Sequence, residues 1–389
     1  MDLTALSPAR LMLEGVPKVA FYSGGPRCPE DICWPSTLRA ALEYLGDPQV
    51  GCRCLRAFGR EGDWQLGCSY ALHVVTSGIG FQQLWLPGDW EYADDVTRLT
   101  PEPLGPYRHA LEAMGYPYEI LVNPGAKNAP AFLAPLGAAA DEATFRARIA
   151  ASLAAGRPVV ALGVLGPPES GLVTGYDEGG DVLIGWSFFQ QMPEFGAGLE
   201  FEPSGEYRAR GWFANTPAII LLGEAGERPR LKDSLRAAYL RAVELVRTEE
   251  MNGYRGGLAA LDSWAEAVAD DANWPAGDMA TLRTRYARHT NLVGAVAEGR
   301  WYAAVAIAGH AVTEDRPAPV EHLLAAAACY ARIHRLMWDV WACAGGIGDD
   351  DAKVARGTTP EARRRIAALL REARAVDDNA AEHLERAAS

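Results

Sequence analysis

What constrains this chain most is a change of hydrophobic period near residue 225. Before that point, apolar residues come in short runs broken by Gly and Pro, at 19–22, 70–76, 81–86, 118–122, 159–164, 172–176, 182–186 and 218–222. Runs of this length, rich in β-branched and aromatic side chains, predict strands. Three helices are expected among them, over 35–45, 106–114 and 142–155, each stopped by a glycine at Gly46, Gly115 or Gly156. The tract Gly175-Tyr-Asp-Glu-Gly-Gly-Asp181 has the Asp/Gly chemistry of a hairpin turn, so the sheet is expected to be mostly antiparallel.

After the polar stretch 223–230 (GEAGERPR) the period becomes helical throughout. Leu235, Tyr239, Val243 and Val246 form one stripe, and Leu258, Leu261, Trp264 and Val268 a second. A third runs from Met279 through Tyr286 and His289 to Val296, followed by helices over 301–312 and 320–344. Thr359-Pro360 offers a cap and a first-turn proline for a last helix over 360–388. The fold class read here is α+β: a mixed domain over 1–225 followed by an all-α bundle over 226–389.

Charge and cysteine usage narrow the partners. With 37 Lys and Arg against 50 Asp and Glu the net charge is −13, and no basic face is available for nucleic acid or an anionic membrane. No apolar run approaches the roughly 18–20 residues of a membrane helix. The first residues show no basic leader or cleavage site, so the cytoplasm is the default compartment. The seven cysteines are read as free thiols. Cys52-Arg-Cys54 with Cys68 lacks the second pair that zinc sites use. His289, His310 and His334, considered with Glu266, Glu298 or Asp339, lack the helical spacing of a bundle metal site. No metal and no cofactor is therefore expected. A small-molecule substrate or ligand is, together with helices whose aromatics pack across the first domain or in a homodimer.

The sharpest local feature is Cys28-Pro-Glu-Asp-Ile-Cys33-Trp-Pro-Ser-Thr-Leu-Arg39. Cys33 stands just before the helix that Pro35 opens. Unsatisfied N–H groups and the positive dipole end lower the pKa of a thiol there and make it a better nucleophile. The backbone N–H of Cys33 is also placed to bind an oxyanion. A small thiol packed beneath the helix is the simpler reading of the same position.

The segment 33–46 (CWPSTLRAALEYLG) resembles the nucleophile helix of papain-like cysteine peptidases. It looks closest to the group formed by bacteriocin-leader peptidases and the N-terminal domain of butirosin biosynthesis protein H. Segment 70–85 (YALHVVTSGIGFQQLW) is similar to that group's Ser-Gly region, and 157–189 to the strand–hairpin–strand that carries the catalytic histidine. The three motifs lie in order over roughly residues 15–225. The resemblance implies a papain-like fold and acyl or amide transfer through a Cys33 thioester.

The resemblance breaks at the histidine. Counted back from Gly175-Tyr176-Asp177, its position falls on Glu169, no histidine lies between His109 and His289, and the orienting residue falls near Trp186. Glu169 then reads either as a substituted base or as a clamp in a remodelled pocket. Trp34, Trp85, Trp90 and Trp186 are candidates for an aromatic wall, Ser77-Gly78 and Gly80 for close backbone approach, and 87–92 for a capping loop. Residues 291–302 read as a helix end and connection, or as the lining of a cleft. The expected function is chemistry on a small molecule or an acyl or amide substrate through Cys33, as a transferase or hydrolase, rather than general peptidase activity. The alternative is a non-catalytic small-molecule-binding protein.

Overall fold

The computed structural model describes residues 8–21, 29–47, 68–88, 90, 102, 104–127, 129 and 138–389. These divide into two compact units: Met1–Cys52 with Tyr107–Pro229, and Arg53–Pro106 with Arg230–Ser389. The later break falls between Pro229 and Arg230, and the described residues between 68 and 106 belong with the C-terminal helices. The larger helices in chain order are α1 (Cys33–Tyr44), α2 (Ser69–Ser77), α3 (Gly105–Met114), α4 (Glu142–Ala154), α5 (Leu231–Arg247), α6 (Gly257–Ala269), α7 (Met279–Thr313), α8 (Pro317–Ala344), α9 (Asp351–Gly357) and α10 (Pro360–Ala388).

The first unit holds a nine-stranded sheet, giving a mixed helix-and-sheet architecture consistent with the α+β class. In spatial order the strands are Ala138–Ala139, Tyr118–Val122, Ala218–Leu222, Val159–Leu162, Ser170–Asp177, Val182–Trp186, Tyr207–Arg210 and Glu200–Phe201, with Leu11–Met12 pairing beside Ser170–Asp177. All pairings are antiparallel except that of Tyr118–Val122 with Ala138–Ala139. The central strands are buried along their whole length, which explains their continuous apolar runs. The expected hairpin is present: Ser170–Asp177 returns as Val182–Trp186, with Gly179 and Gly180 at positive φ in the turn. Gly185 is required beside it, because a Cβ there would meet the Leu172 carbonyl at 2.2 Å. The stretch after the sheet is bound rather than loose. Gly223 N–H donates to the Pro117 carbonyl at 2.8 Å, Gly226 N–H donates to that of Gly115 at 2.8 Å, and the Arg228 guanidinium pairs with buried Asp47.

At the hairpin's end Arg10 and Arg208 bridge Asp177 and Glu202. The Arg208 guanidinium, with the Glu178 N–H, holds the Asp177 carboxyl down at about 2.

The second unit is helical, with a three-stranded ribbon formed by Glu250–Met251, Tyr254–Gly256 and Leu84–Trp85. The stripes behave as read: Leu235, Tyr239 and Val246 are buried in α5, and Leu261, Trp264 and Val268 in α6. Each such side chain contributes roughly 1.5–3 kcal/mol by leaving water. Asp278 and Thr359 cap α7 and α10 through their side chains. Among the described residues no helix is long and apolar enough to cross a membrane.

Three local expectations are corrected. Residues 70–76 lie in α2 rather than a strand, and every residue of that helix is buried, so its surface leaves no periodicity to read. Residues 19–21 form no strand, and Tyr22 lies outside the described residues. The helices expected over 279–296 and 301–312 are one helix, α7, so 291–302 is neither an end nor a connection. Gly299 sits inside α7 because another backbone needs the space: a Cβ there would meet the Gly80 carbonyl at 3.2 Å, and one on Gly80 would meet the Gly299 carbonyl at 3.1 Å. Arg300 fixes this crossing. It donates to the Gly80 carbonyl at 2.5 Å, pairs with Asp377 at 2.6 Å and lies 5.7 Å from the Tyr330 ring centre.

His289 is a fully enclosed imidazole on α7. It accepts a hydrogen bond from Trp264 Nε1 at 3.2 Å, and burial pushes its imidazole down to about 3. The unfolded chain, with a histidine near 6.5, therefore binds the proton more readily than the folded one. Stability contributed by neutral His289 is complete above about pH 6.5 and declines as pH falls toward 3, by up to about 1.4 kcal/mol per pH unit. Denaturant unfolding at pH 7, 5.5 and 4.5 should show a steeper acid loss for the wild type than for His289→Gln. Parallel curves would contradict the assignment.

Candidate functional site

Cys33 is the first residue of α1. The preceding Ile32 is extended and supplies no side-chain cap, and the first turn carries no acidic residue. The positive end of the helix is thus not neutralised by a carboxylate of its own first turn. Cys33 is 7% exposed, so its thiol sits at the edge of the interior.

The turn before α1 is held by a buried ion pair. Glu30, 1% exposed, accepts hydrogen bonds from Ser36 Oγ at 2.8 Å and Arg39 Nε at 2.9 Å. Arg39 also pairs with Glu43 at 2.7 Å. One charged link therefore ties the residues before Cys33 to the second turn of its own helix. A residue nine positions away, across a bend, is not a neighbour that helical spacing reveals, and the sequence reading passed over Glu30.

The helix docks on the strand Ser170–Asp177. Thr37, one turn (about 5.4 Å) along α1 from Cys33, donates to the Ser170 carbonyl at 3.3 Å, and Ser170 Oγ lies 3.3 Å from Thr37 Oγ1. Glu169 immediately precedes this strand and is 9% exposed. Its backbone is fixed, with its N–H donating to the Pro167 carbonyl at 2.7 Å and its carbonyl accepting from Gly163 N–H at 3.0 Å.

Register brings in Trp186. The Ser170 side chain faces α1, so Leu172, two residues on, shares that face. Trp186 is the direct partner of Leu172 in the antiparallel ladder and points to the same side. Trp186 is 6% exposed with Lys18 at 5.8 Å from its ring centre, and among the described residues its buried indole Nε1 has no hydrogen-bond partner. A buried indole N–H left unmatched costs about 1–3 kcal/mol, which a bound acceptor would recover. In the first unit the helix that Cys33 opens therefore docks on the strand that follows Glu169, and Trp186 lies on the α1-facing side of that strand pair. Trp34 belongs to the core beneath it, fully buried and tilted against Tyr107 at 4.6 Å between ring centres.

The other expected site residues lie in the second unit. Ser77 and Gly78 end α2: Ser77 Oγ donates to the Val74 carbonyl at 3.1 Å, and Gly78 takes the left-handed cap with φ +88°. Both spend their special properties on stopping a helix. Trp90 packs edge-on against Trp85 at 5.3 Å and Trp274 at 4.8 Å, with Arg285 over its face at 5.8 Å. It holds φ +51°, which is strained for an L side chain, and the indole nitrogens of Trp85 and Trp90 are buried without hydrogen-bond partners. Cys28, Cys52 and Cys54, and residues 89, 91 and 92 of the loop 87–92, lie outside the described residues. A surface cleft of about 370 Å³ in the second unit is lined by Arg247, Arg255 and Arg374, each already paired with a carboxylate.

Neither a family model nor a curated protein matches the chain.

The ion pair makes a checkable demand. Replacing Arg39 by Met should leave Glu30 charged in the interior and cost about 3–5 kcal/mol. The double variant Glu30→Gln/Arg39→Met should recover part of that loss. Urea unfolding of the three proteins measures the coupling, and additive losses would show that the pair does not act as one.

Proposed function

We propose that the first unit is a papain-like domain in which Cys33 is a nucleophile for acyl or amide transfer on a small substrate. What supports this most is the placement of Cys33 at the N-terminus of a helix docked on the very strand that Glu169 opens. In this reading the Cys33 thiolate attacks a carbonyl carbon. The carbonyl electrons move to oxygen, facing the N-terminal end of α1. Collapse expels an amine or alcohol, which takes up a proton, and leaves a thioester. Water or a second nucleophile then breaks the thioester and returns the thiol.

The departure from a peptidase lies in proton handling. A thiolate–imidazolium pair holds both the activating base and the acid for the leaving amine. A carboxylate with an ordinary value near 4.3 is about four pH units too weak a base for an ordinary thiol near 8.5. Poor leaving groups such as peptide amines are therefore disfavoured, and activated acyl donors, whose leaving groups need no acid, are favoured. A second reading, a binding pocket without chemistry, draws on Trp186, whose buried indole N–H awaits an acceptor.

Single-turnover assays separate the two readings. Wild type is expected to form a thioester with activated esters or acyl thioesters, detectable by intact mass, while cleaving a mixed peptide library at background rates. Cys33→Ala should lose acylation completely. Acylation that persists in Cys33→Ala, or robust peptide cleavage by wild type, would overturn the transfer reading. A ligand that raises the melting temperature of both proteins without acylation would favour the pocket.

A further inference from the structure

Two histidines outside this site face each other across the C-terminal helices. His322 lies in the second turn of α8 and His383 near the end of α10. Their Nδ1 atoms are 3.1 Å apart, with ring centres at 5.4 Å and planes inclined by 39°. Both rings are part-buried, so solvent and small ions reach them. As a bare hydrogen bond the arrangement is demanding. One Nδ1 must carry the proton and the other must not, and the doubly protonated pair is excluded at this separation.

We propose that His322 and His383 form a two-histidine site for a late divalent transition metal, Zn²⁺, Ni²⁺ or Cu²⁺, which pins α10 to α8. Imidazole nitrogen binds such ions at about 2.0–2.1 Å. With the nitrogens at 3.1 Å, that bond length sets the N–metal–N angle at roughly 95–102°. This lies between the right angle of square or octahedral sites and the tetrahedral angle, so no rearrangement of the helices is needed. Rotation of the two rings about their side-chain bonds aims both lone pairs at one ion, and water completes the shell. Glu321 and Glu382 face His383 from the two helices, against His322 and Arg386, and Arg386 is itself paired with Glu382 at 3.2 Å. Among the described residues no group of three or more His, Cys, Asp or Glu converges, so the two histidines supply the protein ligands.

The test uses the full chain, stripped with chelator and with its thiols blocked by N-ethylmaleimide so that cysteines do not compete. Calorimetric titration with ZnCl₂ and NiCl₂ is expected to show one equivalent bound. The binding should be at least tenfold weaker in His322→Ala and in His383→Ala, and the metal-induced rise in melting temperature should vanish in both. Equal binding in wild type and variants, or none in wild type, would overturn the site. Should an alanine variant lose helicity, electron paramagnetic resonance of Cu²⁺ on the wild type decides. Hyperfine structure from two nitrogens supports the site, and one nitrogen or none refutes it.

Discussion

Everything proposed for the first unit depends on how the N-terminal turn of α1 is anchored. A helix start is a poor place to leave a thiol unless its surroundings are rigid, because the dipole effect fades within the first turn. Here rigidity comes from two directions. Glu30 and Arg39 close a charged link around the residues before Cys33, and Thr37 clamps the next turn to Ser170. The first fixes the thiol relative to its helix. The second fixes the helix relative to the strand that begins after Glu169. Both links are buried, so neither is weakened by water or salt as a surface pair would be.

The helix–strand contact uses Thr37 and Ser170 rather than the residue at 169. In the proposed reading, a carboxylate at 169 therefore stands where a base is expected without disturbing that contact. Trp186 stands on the same face with an unmatched N–H, which suits holding an acceptor on a ligand better than orienting a base.

Much of this architecture was legible in the sequence, for identifiable reasons. The hairpin at 175–181 and the stripes of α5 and α6 follow from local chemistry and one-sided burial. Helix α2 was not legible, because its Val74, Val75 and Thr76 favour strands and total burial removes the alternation that would have argued otherwise; only Gly78 marked its end. Helix α7 was read as two, with 291–302 as an end and connection, whereas the chain runs on through Gly299, whose missing side chain makes room for Gly80. Of the proposed site, the place of Cys33 at a helix start was legible from Pro35 and the apolar stripe behind it. Glu30 was not, since its partner Arg39 stands nine residues away, beyond the start of the helix.

The central claim is that Cys33 and Glu169 share one electrostatic environment. The pH dependence of Cys33 alkylation by iodoacetamide, followed by peptide mass mapping, tests it directly. In wild type, Cys33 should react faster at neutral pH than Cys68, Cys329 or Cys343. In Glu169→Gln, which removes a negative charge opposing the thiolate, the apparent thiol pKa should fall by at least about half a unit. An unchanged titration of Cys33 in that variant would show that the two groups do not meet, and the account of the site would fail.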